Sequence, residues 1–193
     1  MQEPSKSTGF RRVRSRLGVV TVLAGFGLVA SGCGGPSAAT VAAQNLSAGI
    51  SAQRAGHFAT AIADYKKVLA AEPTNAYALF DLGDVDQFEH RDAAALKKYQ
   101  AALAIDPTMV PALYNLATLV SSFSPNEARV LYQQVIQQDP TDADAYFNLG
   151  YVMFTLGQRA AGIADINRAV TLDPSLRSRI LPSTTSTSTS TLG

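Results

Sequence analysis

Four prolines divide the middle of this chain at almost equal intervals, and their spacing limits its possible folds more than any other feature. They are Pro73, Pro107, Pro140 and Pro174, separated by 34, 33 and 34 residues. Each follows an acidic residue, and because the residue before a proline is pushed out of the α region, each should end a helix. A period of this length predicts an array of small helical units.

The residues ahead of each proline indicate which helix face is buried. A large apolar residue stands eight positions before each proline and an aliphatic residue four positions before it, so the two share a face. The first set is Tyr65, Tyr99, Tyr132 and Ile166, and the second is Leu69, Leu103, Ile136 and Val170.

Small residues at matched positions predict that two helices in each unit cross closely. Neither helix can bury its apolar stripe alone, so stacked neighbours must complete the core. In the first helix of each unit the matched pairs are Ala48-Gly49, Leu82-Gly83, Leu116-Ala117 and Leu149-Gly150. In the second helix the small residues are Ala61, Ala95, Ala128 and Gly162.

These columns resemble the tetratricopeptide repeat family over residues 42–176. The resemblance implies an all-α fold, an α-solenoid of four antiparallel helix pairs. The chain departs from the family pattern at Asp86, where the family usually buries an aromatic residue, and at Ala48, which replaces the usual leucine. The expected units are 42–75, 76–109, 110–142 and 143–176.

One unit is a residue short, and the missing residue lies between Ala117 and Ala128, since the spacing is 34 before Ala117 and 33 before Ala128. The sequence there is Ser124-Pro125-Asn126-Glu127, which predicts a capping box with proline at the first helical position. This start replaces the glycine turn expected at Gly56 and Gly157.

Residues 1–32 have the layout of a signal peptide, with a basic start, an uncharged run over residues 17–30 and small residues ahead of Cys33. Fourteen apolar residues span about 21 Å as a helix, less than the roughly 30 Å of a bilayer core. Ala30-Ser31-Gly32-Cys33 resembles the lipobox of bacterial lipoproteins, although Ala30 departs from the preferred leucine.

The lipobox resemblance implies a diacylglyceryl group on the Cys33 sulfur, cleavage after Gly32, and palmitate-type acyl chains that hold the protein to the cell membrane. Two chains at about 0.8 kcal/mol per buried CH₂ give stable anchoring. Residues 33–41 would then be the lipidated cysteine and a flexible tether. Two alternatives are an uncleaved signal anchor and a cleavage site without lipid.

The end of the chain, residues 177–193, contains a short helical stub and a Ser/Thr-rich tail. Leu176 and Ile180 share a face, but the stub is barely two turns long, so the last unit is expected to be either protected by a partner or marginal. Residues 183–191 lack apolar side chains and are expected to be disordered. They are either a solvated tail or a site of O-linked sugars.

Charge argues against nucleic-acid binding. The first 32 residues hold five basic residues and one acidic residue, which leaves the remainder of this +1 chain with a net charge of −3. Binding phosphates needs a basic surface, which a part with this balance lacks. Cys33 is the only cysteine and supports neither a disulfide framework nor a zinc site.

No arrangement of residues predicts catalysis, a cofactor or a metal. The acidic stretch at Asp81, Asp84, Asp86, Glu89 and His90 is spread around a helix and lacks the glycine and alternating ligands of a calcium loop. His57 is expected to be a solvated turn residue, and no serine has a histidine and a carboxylate placed to activate it. We therefore expect a non-enzymatic protein.

The family resemblance implies a peptide-holding groove lined by the first helix of each unit, where the family often uses asparagines to bind an extended backbone. Basic residues are nearly missing from these positions, with only Arg54 expected to point inward, so acidic tails are poor candidates. An apolar or basic extended segment is the expected ligand. The predicted groove residues are Phe80, Asp81, Asp84, Tyr114, Asn115, Phe147, Asn148 and Tyr151.

The sequence therefore predicts an exported, lipid-anchored scaffold that binds a protein or peptide partner outside the bacterial cytoplasmic membrane, in envelope assembly. Four alternatives remain: a lipoprotein for pilus or secretion-pore assembly, an accessory subunit of an envelope enzyme, a glycan-binding module, and a cytoplasm-facing scaffold on an uncleaved anchor. The absence of tryptophan argues against the glycan case.

Overall fold

The structure is a computed structural model that describes residues 35–180. Helices account for most of these residues and no strand occurs among them, so the predicted all-α class is confirmed. The predicted signal peptide, Cys33 and the Ser/Thr tail lie outside the described residues. The helices are α1 (Ala38–Arg54), α2 (Phe58–Ala71), α3 (Ala76–Phe88), α4 (Asp92–Ile105), α5 (Val110–Val120), α6 (Pro125–Gln138), α7 (Ala143–Thr155), α8 (Arg159–Leu172) and α9 (Arg177–Ile180).

The helices pack as four successive pairs. Within a pair α1 lies on α2, α3 on α4, α5 on α6 and α7 on α8. Between pairs the second helix contacts the next first helix, so that α2 meets α3, α4 meets α5 and α6 meets α7. This arrangement is the predicted solenoid of antiparallel helix pairs, and it gives each first helix two neighbours to bury its apolar stripe.

The repeated prolines end the second helices as predicted. The residues before them, Glu72, Asp106, Asp139 and Asp173, all leave the helical region, with ψ between 83° and 97°. Three first helices then begin at a side-chain cap, in which Ser37, Asn75 or Asp142 accepts a hydrogen bond from a backbone N–H three residues later. Such caps satisfy donors that the first turn of a helix leaves unpaired.

The predicted capping box at Ser124 is wrong, although Pro125 does begin α6. The Ser124 side chain makes no capping hydrogen bond, and its backbone N–H donates to the Val120 oxygen at 2.7 Å. Ser124 is thus tied to the end of α5, with φ −136° and ψ 61°, instead of taking up the extended backbone of a typical N-cap.

Three turns between paired helices use the left-handed backbone region. Gly56 has φ 78° and Gly157 has φ 75°, as their predicted turn role requires. His90, which is exposed, takes the matching place in the second unit with φ 59°. Glycine adopts this conformation without the steric cost that a side chain brings.

Replacing His90 by glycine should therefore stabilise the fold. We expect His90→Gly to raise the free energy of unfolding by about 1 kcal/mol, because it removes the left-handed strain of a residue with a Cβ. Urea denaturation followed by circular dichroism measures the change. His57→Gly is the matched control, since His57 has negative φ; an equal gain in both variants would contradict the explanation.

The close crossing of the paired helices is confirmed at the glycines. A Cβ added at Gly49 or Gly83 would lie 2.6–2.8 Å from the ring of Tyr65 or Tyr99 on the opposing helix. In the last pair, Cβ atoms added at Gly150 and Gly162 would lie 2.9 and 2.7 Å from each other's carbonyl oxygens. The last pair therefore crosses backbone against backbone, while in the first two pairs a tyrosine fills the space.

The stub after Pro174 covers part of the last unit, an arrangement that the sequence analysis did not anticipate. It forms a 3-10 turn, Pro174–Leu176, followed by α9. Leu176 is buried against Phe147, Ile166 and Ala169. Further along the last pair, Phe154 stays 37% exposed and Ile163 48% exposed. The chain thus covers only the proline-proximal end of α7 and α8.

No helix within residues 35–180 combines the length and apolar character needed to cross a membrane.

Candidate functional site

The predicted groove residues lie on α3, α5 and α7, on the face formed by the first helices, which we call the groove face. Their exposure differs. Tyr151 is 45% exposed, five residues are partly buried, and Phe147 is 3% exposed. Asp84 and Asn115 are brought into direct contact across a repeat junction, and so are Tyr114 and Asn148. The partly buried residues also include Phe80 and Asp81.

A polar network links the units along this face. The Asp84 carboxylate accepts hydrogen bonds from the Tyr99 hydroxyl at 2.8 Å and from the Asn115 amide at 2.7 Å. One unit further on, the Asn148 amide donates to the Tyr114 hydroxyl at 2.8 Å. The amide donors of both asparagines are therefore used between repeats, and peptide binding by these asparagines stays a prediction.

Burial on α3 shifts the acidity of two carboxyl groups. Desolvation raises the pKa of Asp81 to about 7; the nearby Asp84 charge raises it further, and Arg54 opposes the shift. Desolvation also raises the pKa of Asp84 to about 6, against the hydrogen bonds from Tyr99 and Asn115. Near neutral pH this pair therefore holds less negative charge than two exposed aspartates would.

Fold stability should consequently fall as pH rises from about 4 to 7. Carboxyl groups with raised pKa values bind more protons in the folded state than in the unfolded state, so deprotonation favours unfolding. Asp81→Asn should reduce this slope, worth about 2 kcal/mol at roughly 1.4 kcal/mol per pKa unit after allowance for partial exposure. Urea midpoints from pH 4.5 to 7.5 test it. Asp92→Asn, on the exposed first turn of α4, is the control; equal slopes in wild type and Asp81→Asn would contradict the assignment.

Two of the predicted aromatic contacts serve packing. The Phe147 ring is covered by the Arg179 guanidinium, 4.1 Å from the ring centroid, and packs on Leu176. Phe80 lies against Tyr99 with ring centroids 5.9 Å apart. In this structure Phe147 is a core residue with almost no surface to offer a partner, which argues against its predicted direct contact.

Arg179 is a basic residue on this face that the sequence analysis missed, since it named only Arg54. Its guanidinium pairs with Asp144 at 3.0 Å and borders an open pocket of about 530 Å³ between α5 and α7. The signal was available, because continuing the 34-residue register places Arg179 in the first turn of a fifth first helix. The pocket is lined by Thr118, Ser121, Ser122, Tyr132, Phe147, Asn148, Tyr151, Val152, Thr155 and Arg179.

Tyr77 is a second missed residue. It stands one helical turn before Asp81, so the two share a face of α3, and it is 62% exposed. The spacing of four residues was readable in the sequence. The groove face thus has an exposed tyrosine beside the carboxylates of α3 and another, Tyr151, on α7.

The acidic stretch at the end of α3 is accounted for by local ion pairs. Arg91 pairs with Asp86 at 2.7 Å and contacts Glu89. Across residues 35–180, no three His, Cys, Asp or Glu side chains are grouped so that they could hold a metal ion.

Solved structures with the same fold come from several kinds of protein. The crystal structure of MamA matches with 23% identity and a TM-score of 0.63, over 70% of this chain and 80% of its own. PilF of Pseudomonas aeruginosa matches with 21% identity and a TM-score of 0.63, over 71% and 63%. At these identities the likeness shows the fold alone. Comparison with curated protein sequences finds no significant match.

A third match is an O-GlcNAc transferase mutant from Thermobaculum terrenum, with 22% identity and a TM-score of 0.56. It covers 62% of this chain but 23% of that protein. The likeness is therefore to one part of a larger enzyme and carries no activity to this chain.

Family models match the helical region in three places. A tetratricopeptide repeat model matches residues 46–110, a second matches 143–176, and a TPR repeat model matches 126–157. Together they cover units on both sides of the short third pair. The helix pairs, their glycine crossings and these matches agree, and the chain belongs to the tetratricopeptide repeat family.

Proposed function

We propose that this protein is a membrane-anchored, non-enzymatic scaffold that holds an extended segment of another protein on its groove face, outside the bacterial cytoplasmic membrane and in envelope assembly. Membership of the repeat family supports a protein-binding role. The main supporting observation is the surface of α3, where the exposed Tyr77 stands one turn from Asp81 and two turns from Asp84.

This surface suits an apolar or basic segment. Tyr77 and Tyr151 offer large contact areas with little conformational entropy to lose, as hot-spot residues do. Asp81 and Asp84 are partly desolvated, so a Lys or Arg side chain placed beside them would favour their charged forms. At the other end Arg179 is already paired with Asp144 and stacked on Phe147, which leaves the acidic end to select charge.

Site-specific photo-crosslinking in cells tests the groove face. A photoreactive amino acid at Tyr77 or Tyr151 should capture the same partner protein, because both side chains lie on this face. Val130 on the second helix α6 is the control, with a similar exposure of 44%. Capture of the same protein with equal yield from Val130 would overturn the groove assignment.

Binding to the captured partner should also depend on the acidic pair. We expect Asp81→Lys to weaken binding at least tenfold, since it places a cation where a basic segment would lie. Binding by the wild type should weaken below about pH 6, as the carboxyl groups take up protons. Microscale binding measurements at two pH values follow both effects. Tighter binding by Asp81→Lys would show that the segment is acidic.

The anchoring part of the proposal depends on Cys33 and the residues before it, in sequence alone. A small, uncharged stretch ending in Gly32-Cys33 supports lipid attachment. Metabolic labelling with a fatty-acid analogue should mark the wild-type protein, and Cys33→Ala should lose at least nine-tenths of the label. Equal labelling of both proteins would refute lipidation at this residue while leaving the groove untouched.

A further inference from the structure

The open end of the helix stack carries an apolar surface that the interior units bury. Each interior first helix packs on the second helix before it, where Ile62 and Leu96 are partly buried. The same position in the last unit is Ile163, which is 48% exposed because no complete fifth helix follows. We call Ile163 and its neighbour Phe154 the terminal face.

Phe154 marks the terminal face as different from the interior junctions. At the matching positions in the first two units, Gln53 and Gln87 each accept a hydrogen bond from the tyrosine of the second helix. In the last unit that tyrosine is replaced by Ile166 and the glutamine by Phe154, whose ring lies against Gly162. A polar pair has thus become apolar at the end that meets solvent, the reverse of what solubility favours.

The interior junctions define what fits this surface. At all three, the arriving first helix presents a small residue, a leucine four positions later and an aliphatic residue three positions after that. These positions share one helix face and sit in the apolar clusters between units. The sets are Ala78, Leu82 and Val85 in α3, Ala112, Leu116 and Leu119 in α5, and Ala145, Leu149 and Val152 in α7.

Neither the tail nor a second copy of the chain carries this pattern. Continuing the register by 34 residues places Ser183 and Ser186 at the leucine and aliphatic positions, directly after Pro182. At the front of the stack, α1 has Gln44, Ala48 and Ser51 in the three places, all exposed. The front of one molecule is therefore a poor match for the terminal face of another.

We propose that the terminal face binds an amphipathic helix of a partner protein, one that carries the small, leucine and aliphatic pattern of the interior first helices. The helix completes the stack as a fifth first helix beyond α9. This site is separate from the groove face, because it uses the junction-forming surface of α7 and α8. It lets the scaffold hold an extended segment and a helix at the same time.

A peptide taken from this chain provides the probe. A labelled peptide of residues 74–89 contains α3, whose natural junction is with Ile62, the counterpart of Ile163. A matched peptide carries Ala78→Gln, Leu82→Ala and Val85→Ser, the residues found in α1. In fluorescence anisotropy with the full-length chain, the α3 peptide should bind at least tenfold more tightly than the matched peptide. Equal affinities, or no binding by the α3 peptide, would overturn the proposal.

Variants of the full-length chain locate the binding. Ile163→Asp and Phe154→Gln should each weaken α3-peptide binding at least fivefold, whereas Ile105→Asp, at a 41% exposed isoleucine on α4, should not. Tyr77→Ala should leave it unchanged, which separates this site from the groove face. Unchanged binding in Ile163→Asp, with its helix content intact by circular dichroism, would refute the site.

Two further measurements decide between occupants. Sedimentation of the wild type should show no self-association that Ile163→Asp removes; such association would mean that a second copy covers the face. Ending the chain at Ile180 should change α3-peptide affinity less than twofold. A tenfold gain would mean that the tail covers the face, and the partner-helix proposal would be wrong.

Discussion

Tyr99→Ala should lower the free energy of unfolding by about 4 kcal/mol, the largest effect expected from a single side chain in this protein. Tyr99 has no solvent exposure and fills the crossing between α3 and α4, where its ring occupies the space that a Cβ on Gly83 would need. Removing a buried aromatic ring leaves a cavity that neighbouring helices fill only partly. The same ring packs on Phe80 and belongs to the core shared with the third unit.

The hydroxyl of Tyr99 makes a smaller, separable contribution. Tyr99→Phe keeps the ring but removes the donor to Asp84, and we expect it to cost about 1–2 kcal/mol, as loss of a hydrogen bond to a partly buried charged group does. It should also raise the pKa of Asp84 further, because a group that favours the charged form is gone. The decline in stability with pH should then be steeper than in the wild type.

Urea unfolding followed at 222 nm measures both Tyr99 variants. Tyr77→Ala is the control: it removes the same side chain from a site that is 62% exposed, and it should change stability by less than about 0.5 kcal/mol. A cost below 1 kcal/mol for Tyr99→Ala would contradict its role as the filler of the crossing.

The fold was predictable because every unit repeats the same signals. The proline spacing, the small residues and the large apolar residue eight positions before each proline are local patterns, and repetition made them reliable. The capping box failed because it depended on one dihedral angle: the Ser124 N–H is held by the Val120 oxygen, which a sequence motif does not show. The left-handed His90 also gave no sequence signal, because glycine is absent there.

The candidate site was less predictable because its residues have two possible roles. Position in the repeat placed Phe147, Asn115 and Asn148 on the groove face, but burial and hydrogen bonding are set by what the neighbouring unit contributes. Arg179 covers Phe147 only because α9 follows the 3-10 turn. Asp84 binds Asn115 only because the two helices align in this register. Such contacts depend on packing between units.

The same crossing that tyrosines fill in the first two pairs is closed by glycines in the last, and this makes Gly162→Val the second most costly change we expect, at about 3 kcal/mol. A Cβ at this position would stand 2.7 Å from the Gly150 carbonyl oxygen and 2.7 Å from the Phe154 ring. The ring can rotate away, but the carbonyl belongs to α7, so the helices must separate and loosen the packing around Ile166. Ala164→Val, exposed two residues along α8, carries only the lower helix propensity of valine, about 0.6 kcal/mol. Urea unfolding of the two variants measures the difference. A gap below 1 kcal/mol would mean that the last pair yields readily, and α3-peptide binding should then survive in Gly162→Val; a gap near 2–3 kcal/mol should be accompanied by loss of that binding, since the terminal face is built on this crossing.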